Sequence, residues 1–390
     1  MSETTLKPSS PSRSQFAVFI AVSLAIILLA HAAVYAALEA MFVGMSASAS
    51  TTLMIAMAVL AIGFIAASIL SSFFNNALVR VIYKIFAVWI GLFTYLFLVS
   101  VVYGLIAAFL DWRYSAYGTS VLANDHIAVF GRCLMGVALI AGIYGLLHAR
   151  SIKVRHWQVT LEHLPSSWQG RKAVFFSDSH LGHVNGVKFA AKIAEAIKKE
   201  LPDIVMIGGD LYDGVKVDDD AIIAPFTGLK PLLGTYFITG NHEEFQDSAH
   251  FIEAIKRAGI RVLDDEMTEI EGLQLVGVTD RDSTNKNRFA EILAGLKLDP
   301  NKPSILLKHQ PSNLIAAESA GISLQLSGHT HRAQQWPFTY LTHRIFKGYD
   351  YGLNQFGRMQ VYTSSGVGTW GPPLRLGTDA EIVVLEFLLG

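Results

Sequence analysis

Cysteine is almost missing from this chain. Cys133 stands alone among 390 residues, so no internal disulfide can form and cysteine usage does not report a redox compartment. Charge is sparse too. Asp, Glu, Lys and Arg make up 16% of the chain and nearly cancel, leaving a formal net charge of −1. That balance lacks the basic excess a polyanion-binding surface requires, and no nucleic-acid partner is expected. The scarcity is uneven. Phe16–Leu38, Thr51–Phe74 and Ile85–Leu110 contain no Asp, Glu, Lys or Arg, and Ile127–Leu147 carries only Arg132.

Each of these four stretches meets the roughly 20 apolar residues needed to cross a hydrocarbon core, where only helices satisfy an open backbone. The first is longer than the ~7–15-residue core of a signal peptide, and three more follow it, so it reads as an anchor. Three regions result: a tail over 1–15, a four-helix transmembrane region over 16–150 and a globular domain over 151–390. Lys7 and Arg13 precede the first span, and Glu39–Ser50 has no basic residue. Asn75–Lys84 has Arg80 and Lys84, Arg113 lies beside Asp111 in the third loop, and Arg150, Lys153 and Arg155 follow the last span. Under the positive-inside rule the tail, the second loop and the globular domain face the cytoplasm of a multi-pass inner-membrane protein. Ser23, His31, Ser68 and Ser71 are expected to hydrogen-bond between helices rather than to line an ion path.

From Ser151 the composition becomes that of an ordinary globular domain. Strands are expected at Val154–Leu161, Ala173–Phe176, Ile204–Ile207, Thr235–Ile238, Leu273–Val278, Ser304–Leu307, Leu324–Leu326, Met359–Thr363 and Glu381–Phe387. Helical patterns at Val187–Glu200 and Ser248–Ala258 fall between them, which predicts layered β-sheets flanked by helices in an α/β fold. Polar patches follow five of the strands: Asp178-Ser179-His180, Gly209-Asp210 with Asp213, Gly240-Asn241-His242-Glu243, His309, and Gly328-His329-Thr330-His331. Carboxyl ends of strands form the ligand crevice of open α/β sheets, so the patches converge on one edge. Asp, Asn and His suit a pair of divalent cations, and a pair about 3.5–4 Å apart is a device for in-line displacement at phosphorus.

This ordered set resembles the calcineurin-like metallophosphoesterase superfamily over about Val154 to the C-terminus. The segment Ser364–Arg375 is similar to a bacterial membrane-associated subgroup, which often has Gly-His-Thr-His-Gly-Gly-Gln; here Arg332 and Ala333 replace the two glycines. The resemblance implies that Asp178, His180 and His331 hold one metal, that Asn241, His309 and His329 hold the other, and that Asp210 bridges them. It implies a metal-bridging hydroxide as nucleophile, His242 near the leaving oxygen and Asp213 orienting His242. Manganese is the first expectation; Fe and Zn also fit the ligands. Protein phosphatases of the family carry a phosphate-clamping Arg after the Asp213 position. Gly214 stands there, which argues against phosphoprotein monoesters.

Other polar groups read as structural: Glu243, a solvated His183, His250 on a surface helix, Asp218-Asp219-Asp220 as a helix start and Asp264-Asp265-Glu266 as a charged turn. The aromatic stretch Gln335–Met359, with Trp336 and Phe346 and the basic Arg344 and Lys347, reads as core packing or as a lip facing the bilayer. The expected function is hydrolysis of a phosphodiester or pyrophosphate bond in a lipid-linked substrate, with the bilayer as partner. Two alternatives fit the same residues: a phosphodiesterase or phosphatase on a soluble substrate such as a cyclic nucleotide, and a non-catalytic metal-binding sensor.

Overall fold

A computed structural model describes residues 13–115, 125–244 and 249–389. Lys7 and the expected helix start at Ser248 lie outside them. Among the described residues four helices are long and apolar enough to cross a membrane: α1 (Arg13–Met41), α2 (Ala47–Phe73), α3 (Ala77–Ser115) and α4 (Asp125–His148). Helix α3 starts earlier than its apolar run implies. Asn76 caps it by accepting the Val79 N–H at 3.0 Å, and no Gly or Pro interrupts residues 77–84, so helix continues through Arg80 and Lys84. At 39 residues it measures roughly 58 Å at 1.5 Å per residue, longer than a hydrocarbon core.

The chain packs as two units. One comprises residues up to Leu70 with Ile85–Gly142; the other comprises Ser71–Lys84 with Ile143 onward. In the first, His31 of α1 accepts a hydrogen bond from Trp89 Nε1 of α3 at 3.1 Å and stacks on Phe93, as expected for an interhelical polar group. Ser68 instead donates to the Phe64 carbonyl of its own helix at 2.8 Å. Arg132, the one charge in its span, donates to the carbonyl of Met41 at the end of α1. A backbone acceptor at a helix terminus explains why a cation is tolerated there.

The second unit holds two six-stranded sheets. The first runs β1 (Ile152–Leu161), β12 (Ala380–Leu389), β2 (Lys172–Phe176), β3 (Ile204–Ile207), β4 (Thr235–Phe237), β5 (Arg261–Val262). The second runs β10 (Gly352–Phe356), β11 (Met359–Thr363), β9 (Leu324–Ser327), β8 (Ser304–Leu307), β7 (Leu273–Gly277), β6 (Glu266–Ile270). Phe175 and Met206 of one sheet share a buried core with Leu275, Leu307 and Leu326 of the other. Val174, Val205 and Ile207 face outward under helix α5 (Val187–Lys199). Both faces are thus covered, which is why these strands are continuous apolar runs. Strands β2, β3 and β4 are parallel, as are β7, β8, β9 and β11, so their carboxyl ends share an edge within each sheet.

Asp218 accepts the Ala221 N–H at 3.0 Å and starts a short helix, as expected. The expected charged turn at 264–266 is only half a turn: Glu266 opens β6 and pairs with Gly277.

Candidate metal centre

The turns after β2, β3, β4, β8 and β9 bring all seven expected ligands together. Asp178, His180, Asp210, His309 and His331 are buried, and the donor atoms of Asp178, His180 and His331 lie within 4.8 Å of one another. So do those of Asp210, His309 and His329, and Asn241 Oδ1 stands 2.9 Å from His329 Nδ1. Asp210 lies between the groups: its Oδ2 is 3.2 Å from His309 Nε2 and 3.7 Å from His180 Nε2. Close approach explains the flanking glycines. A Cβ on Gly240 would meet Asp210 Oδ1 at 2.1 Å, and one on Gly328 would meet Asp178 Oδ2 at 2.2 Å.

Tight turning leaves a mark on the backbone. Asp178, His180, Asp210, His329 and His331 all have φ between 43 and 68°. Each such non-glycine conformation costs roughly 1–2 kcal/mol, and strain of this kind concentrates at functional sites.

The donor set fits divalent cations. His180 Nε2 faces His331 Nε2 at 2.9 Å, and buried His309 Nε2 has only the Asp210 carboxylate, 3.2 Å away, beside it among the described residues. Buried imidazole nitrogens converging this way are satisfied by a cation between them. Surrounding groups fix the rings. His309 Nδ1 donates to the Gly208 carbonyl at 2.8 Å, which presents Nε2 as the ligand atom. Asp178 is held by the His329 N–H and the Ser177 hydroxyl. Burial opposes charge on Asp210, but His309, His180 and His242 override it and hold its pKa below the usual carboxylate value. Burial and His309 push His329 down to about 3, and burial and His180 depress His331, so both rings are neutral at physiological pH, the form a metal requires.

His242 Nδ1 donates to the Asp213 carbonyl at 3.1 Å. The Asp213 carboxylate lies against His180 Nδ1 at 3.3 Å and stands 3.9 Å from His242 Nδ1. Its side chain is therefore better placed to orient His180 than His242, and its backbone serves His242. His183 is buried beside Tyr83, with ring centroids 6.0 Å apart, and is not solvated.

One residue escaped sequence reasoning. Trp370, about half exposed, closes one side of a cavity of about 320 Å³, its ring 5.9 Å from His242. Gln334 pins it, accepting the Trp370 N–H at 2.7 Å and donating to its carbonyl at 3.0 Å. Glu243, expected to be structural, is a brace. Its Oε2 accepts the N–H groups of Asp210 and Gly240 at 3.0 and 2.8 Å, and its Oε1 accepts that of Tyr212 at 2.9 Å. One carboxylate thus ties the turn bearing Asp210 to the turn bearing Asn241. In Glu243→Gln an amide NH2 must face a backbone donor. Metal affinity, read by titration of the metal-free protein, should fall about 10–100-fold; unchanged affinity would show that the brace is dispensable.

Residues 171–333 match the family model for calcineurin-like phosphoesterases. A metallophosphoesterase of Helicobacter pylori strain J99 is 35% identical over 221 residues, covering 56% of this chain and 60% of that protein. A metallophosphoesterase of Aquifex aeolicus is 32% identical over 257 residues, covering 64% of this chain and 97% of that protein. A transmembrane protein with metallophosphoesterase domain from Danio rerio is 31% identical over 268 residues, covering 63% of this chain and 60% of that protein. The match thus spans less than two thirds of the Helicobacter and Danio proteins. With nearly the whole Aquifex protein matched and the ligand turns inside the family segment, the chain belongs to the calcineurin-like metallophosphoesterases, a family of metal-dependent phosphoester hydrolases.

Proposed function

We propose that the protein is a membrane-anchored two-metal hydrolase that cleaves a phosphodiester or pyrophosphate bond in a lipid-linked substrate. The observation that carries the hydrolase reading is the position of Asp210, whose one oxygen is within 4 Å of a ligand nitrogen from each group. Two bound divalent cations, with manganese as first candidate, supply charge neutralisation at phosphorus and a water of lowered pKa. The chain's own residues set the geometry. Asp178, His180 and His331 would hold one cation, Asn241, His309 and His329 would hold the other, and Asp210 would serve both. His242 faces the same cavity, where a leaving oxygen departs.

The lipid reading is supported by an apolar surface beside that cavity. Trp336, Tyr340, Leu341, Ile345 and Trp370 are all more than half exposed. The short helix Thr339–Ile345 buries none of its residues and carries Arg344, with Lys347 just beyond. Backbone hydrogen bonds tie this surface to the last turn of α4. Arg375 N donates to the Gly145 carbonyl, Leu376 N to Gln334, and Trp336 N to Leu376. Exposed aromatics with scattered cations, tethered to a helix able to cross a membrane, suit a headgroup layer. Phe346 behaves differently: it is half-buried, with its ring 6.2 Å from that of His329. The variant that tests the lip is therefore Trp336→Ser with Leu341→Ser. Turnover of a vesicle-borne phospholipid diester should fall roughly tenfold from the lost apolar insertion, with bis(4-nitrophenyl) phosphate spared. Equal losses on both substrates would refute the lip.

A further inference from the structure

Arg332 occupies a conformation that favours glycine. Its φ is 48° and ψ 39°, in a run in which His331, Ala333 and Gln334 also have positive φ. A glycine there would relieve the strain, so the side chain has to be justified by what it does. It lies across the ring of Tyr351, with the guanidinium carbon 4.4 Å from the ring centroid, and among the described residues it forms no ion pair. It opens onto a cleft of about 390 Å³ lined also by Tyr340, His343, Asp350, Tyr351 and Asn354. The flanking residues His331 and Ala333 line the metal cavity, so one turn of chain separates the two spaces. The acids around the cleft are already engaged. Asp350 holds His343 Nδ1 at 3.0 Å and the Thr342 hydroxyl at 3.3 Å. Glu381 accepts from Tyr351, Tyr362 and the Ser365 N–H. Arg332 is left as a cation with its donors uncommitted and its plane fixed on an aromatic face, the arrangement that recognises a phosphate or carboxylate in forked geometry.

We propose that Arg332 and Tyr351 form an anion subsite beside the metal cavity, which takes a second acidic group of the substrate and so favours substrates bearing one. This rests on the hydrolase reading for its position in the reaction, though not for the binding of the anion. Two measurements test it on full-length protein in phosphatidylcholine vesicles. The first compares thymidine 5′-(4-nitrophenyl phosphate) with the same ester carrying a 3′-phosphate, in the manganese-loaded protein. The ratio of their kcat/KM values should favour the second by roughly tenfold, mainly through KM, and should collapse toward one in Arg332→Gly while Arg332→Lys keeps part of it. A ratio of one in the parent protein, or one that survives in Arg332→Gly, overturns the proposal. The second follows modification of Arg332 by phenylglyoxal, read by mass spectrometry, and needs no turnover. Protection by inorganic phosphate supports a site for a free anion, and protection only when phosphatidylglycerol is added to the vesicles assigns the anion to a lipid headgroup. Protection by neither overturns the subsite. If neither nitrophenyl ester is hydrolysed, the hydrolase reading fails and the protection result decides the subsite alone.

Discussion

Asp210→Asn is expected to leave a folded protein that turns over phosphodiesters at least 10⁴-fold more slowly than the parent. The size follows from the position of the group. Asp210 Oδ2 stands 3.2 Å from His309 Nε2 and 3.7 Å from His180 Nε2, one nitrogen of each ligand group, whereas Asp178 Oδ1 stands 3.6 Å from His331 Nε2 and 4.0 Å from His309 Nε2. Asp210 also compensates His309 and His180 electrostatically. Asparagine keeps the shape but carries one acceptor oxygen and no charge, so it cannot span two cations. Its NH2 would face His309 Nε2 or His180 Nε2 and compete with a metal for that lone pair. Losing the paired cations removes several kcal/mol of stabilisation at phosphorus, and about 5.5 kcal/mol is already a factor of 10⁴. Elemental analysis and single-turnover rates check this together. A variant that retains two metals per chain and hydrolyses bis(4-nitrophenyl) phosphate within tenfold of the parent would dismiss the bridging role. Overall folding should survive, because the Asp210 N–H bond to Glu243 is made by the backbone and is untouched by the substitution.

The candidate metal turns could be placed together from the sequence because each polar patch follows a strand buried on both faces. Runs such as Ala173–Phe176 and Ile204–Ile207 cannot be amphipathic helices of useful length, and a polar patch at their carboxyl ends has one edge to go to. Of the four edge strands, β1 was readable and β5, β6 and β10 were not. β6 is paired on one side only and reads Glu-Met-Thr-Glu-Ile, a polar pattern that hides it, and β5 is two residues long. Strand β10 lies in the aromatic stretch that read as core packing or as a lip; there the chain makes an exposed helix and then a hairpin. Glu243 and Asp213 could not be assigned from spacing, since what matters is which turn their oxygens meet. Glu243 reaches backward 33 residues to the Asp210 N–H, and Asp213 offers its carbonyl to one histidine and its carboxylate to another. The Arg332-Ala333 pair shows the opposite case. Replacing the two glycines leaves the turn tight, with both residues adopting positive φ of 48 and 58°.

His242→Ala should produce the second-largest loss, and its size should depend on the leaving group. Nδ1 of His242 meets a carbonyl, which can only accept, so Nδ1 carries a proton and Nε2 is the nitrogen whose protonation changes with pH. Burial and the neighbouring His180 hold the pKa of the ring below its usual value, against the pull of Asp210 and Asp213. The ring is therefore neutral near pH 7 in the absence of substrate, and an arriving phosphate anion favours its protonated form. A proton delivered from Nε2 matters most when the departing oxygen is strongly basic. For an alkoxide, as in a glycerol-linked diester, removal of the imidazole should lower kcat about 10²–10⁴-fold. For 4-nitrophenolate, which departs without help, the loss should be several-fold at most. A plot of log kcat against leaving-group pKa should then be steeper for His242→Ala than for the parent, while metal content stays the same. Parallel lines would mean that His242 only shapes the cavity, and that the proton reaches the leaving oxygen from water.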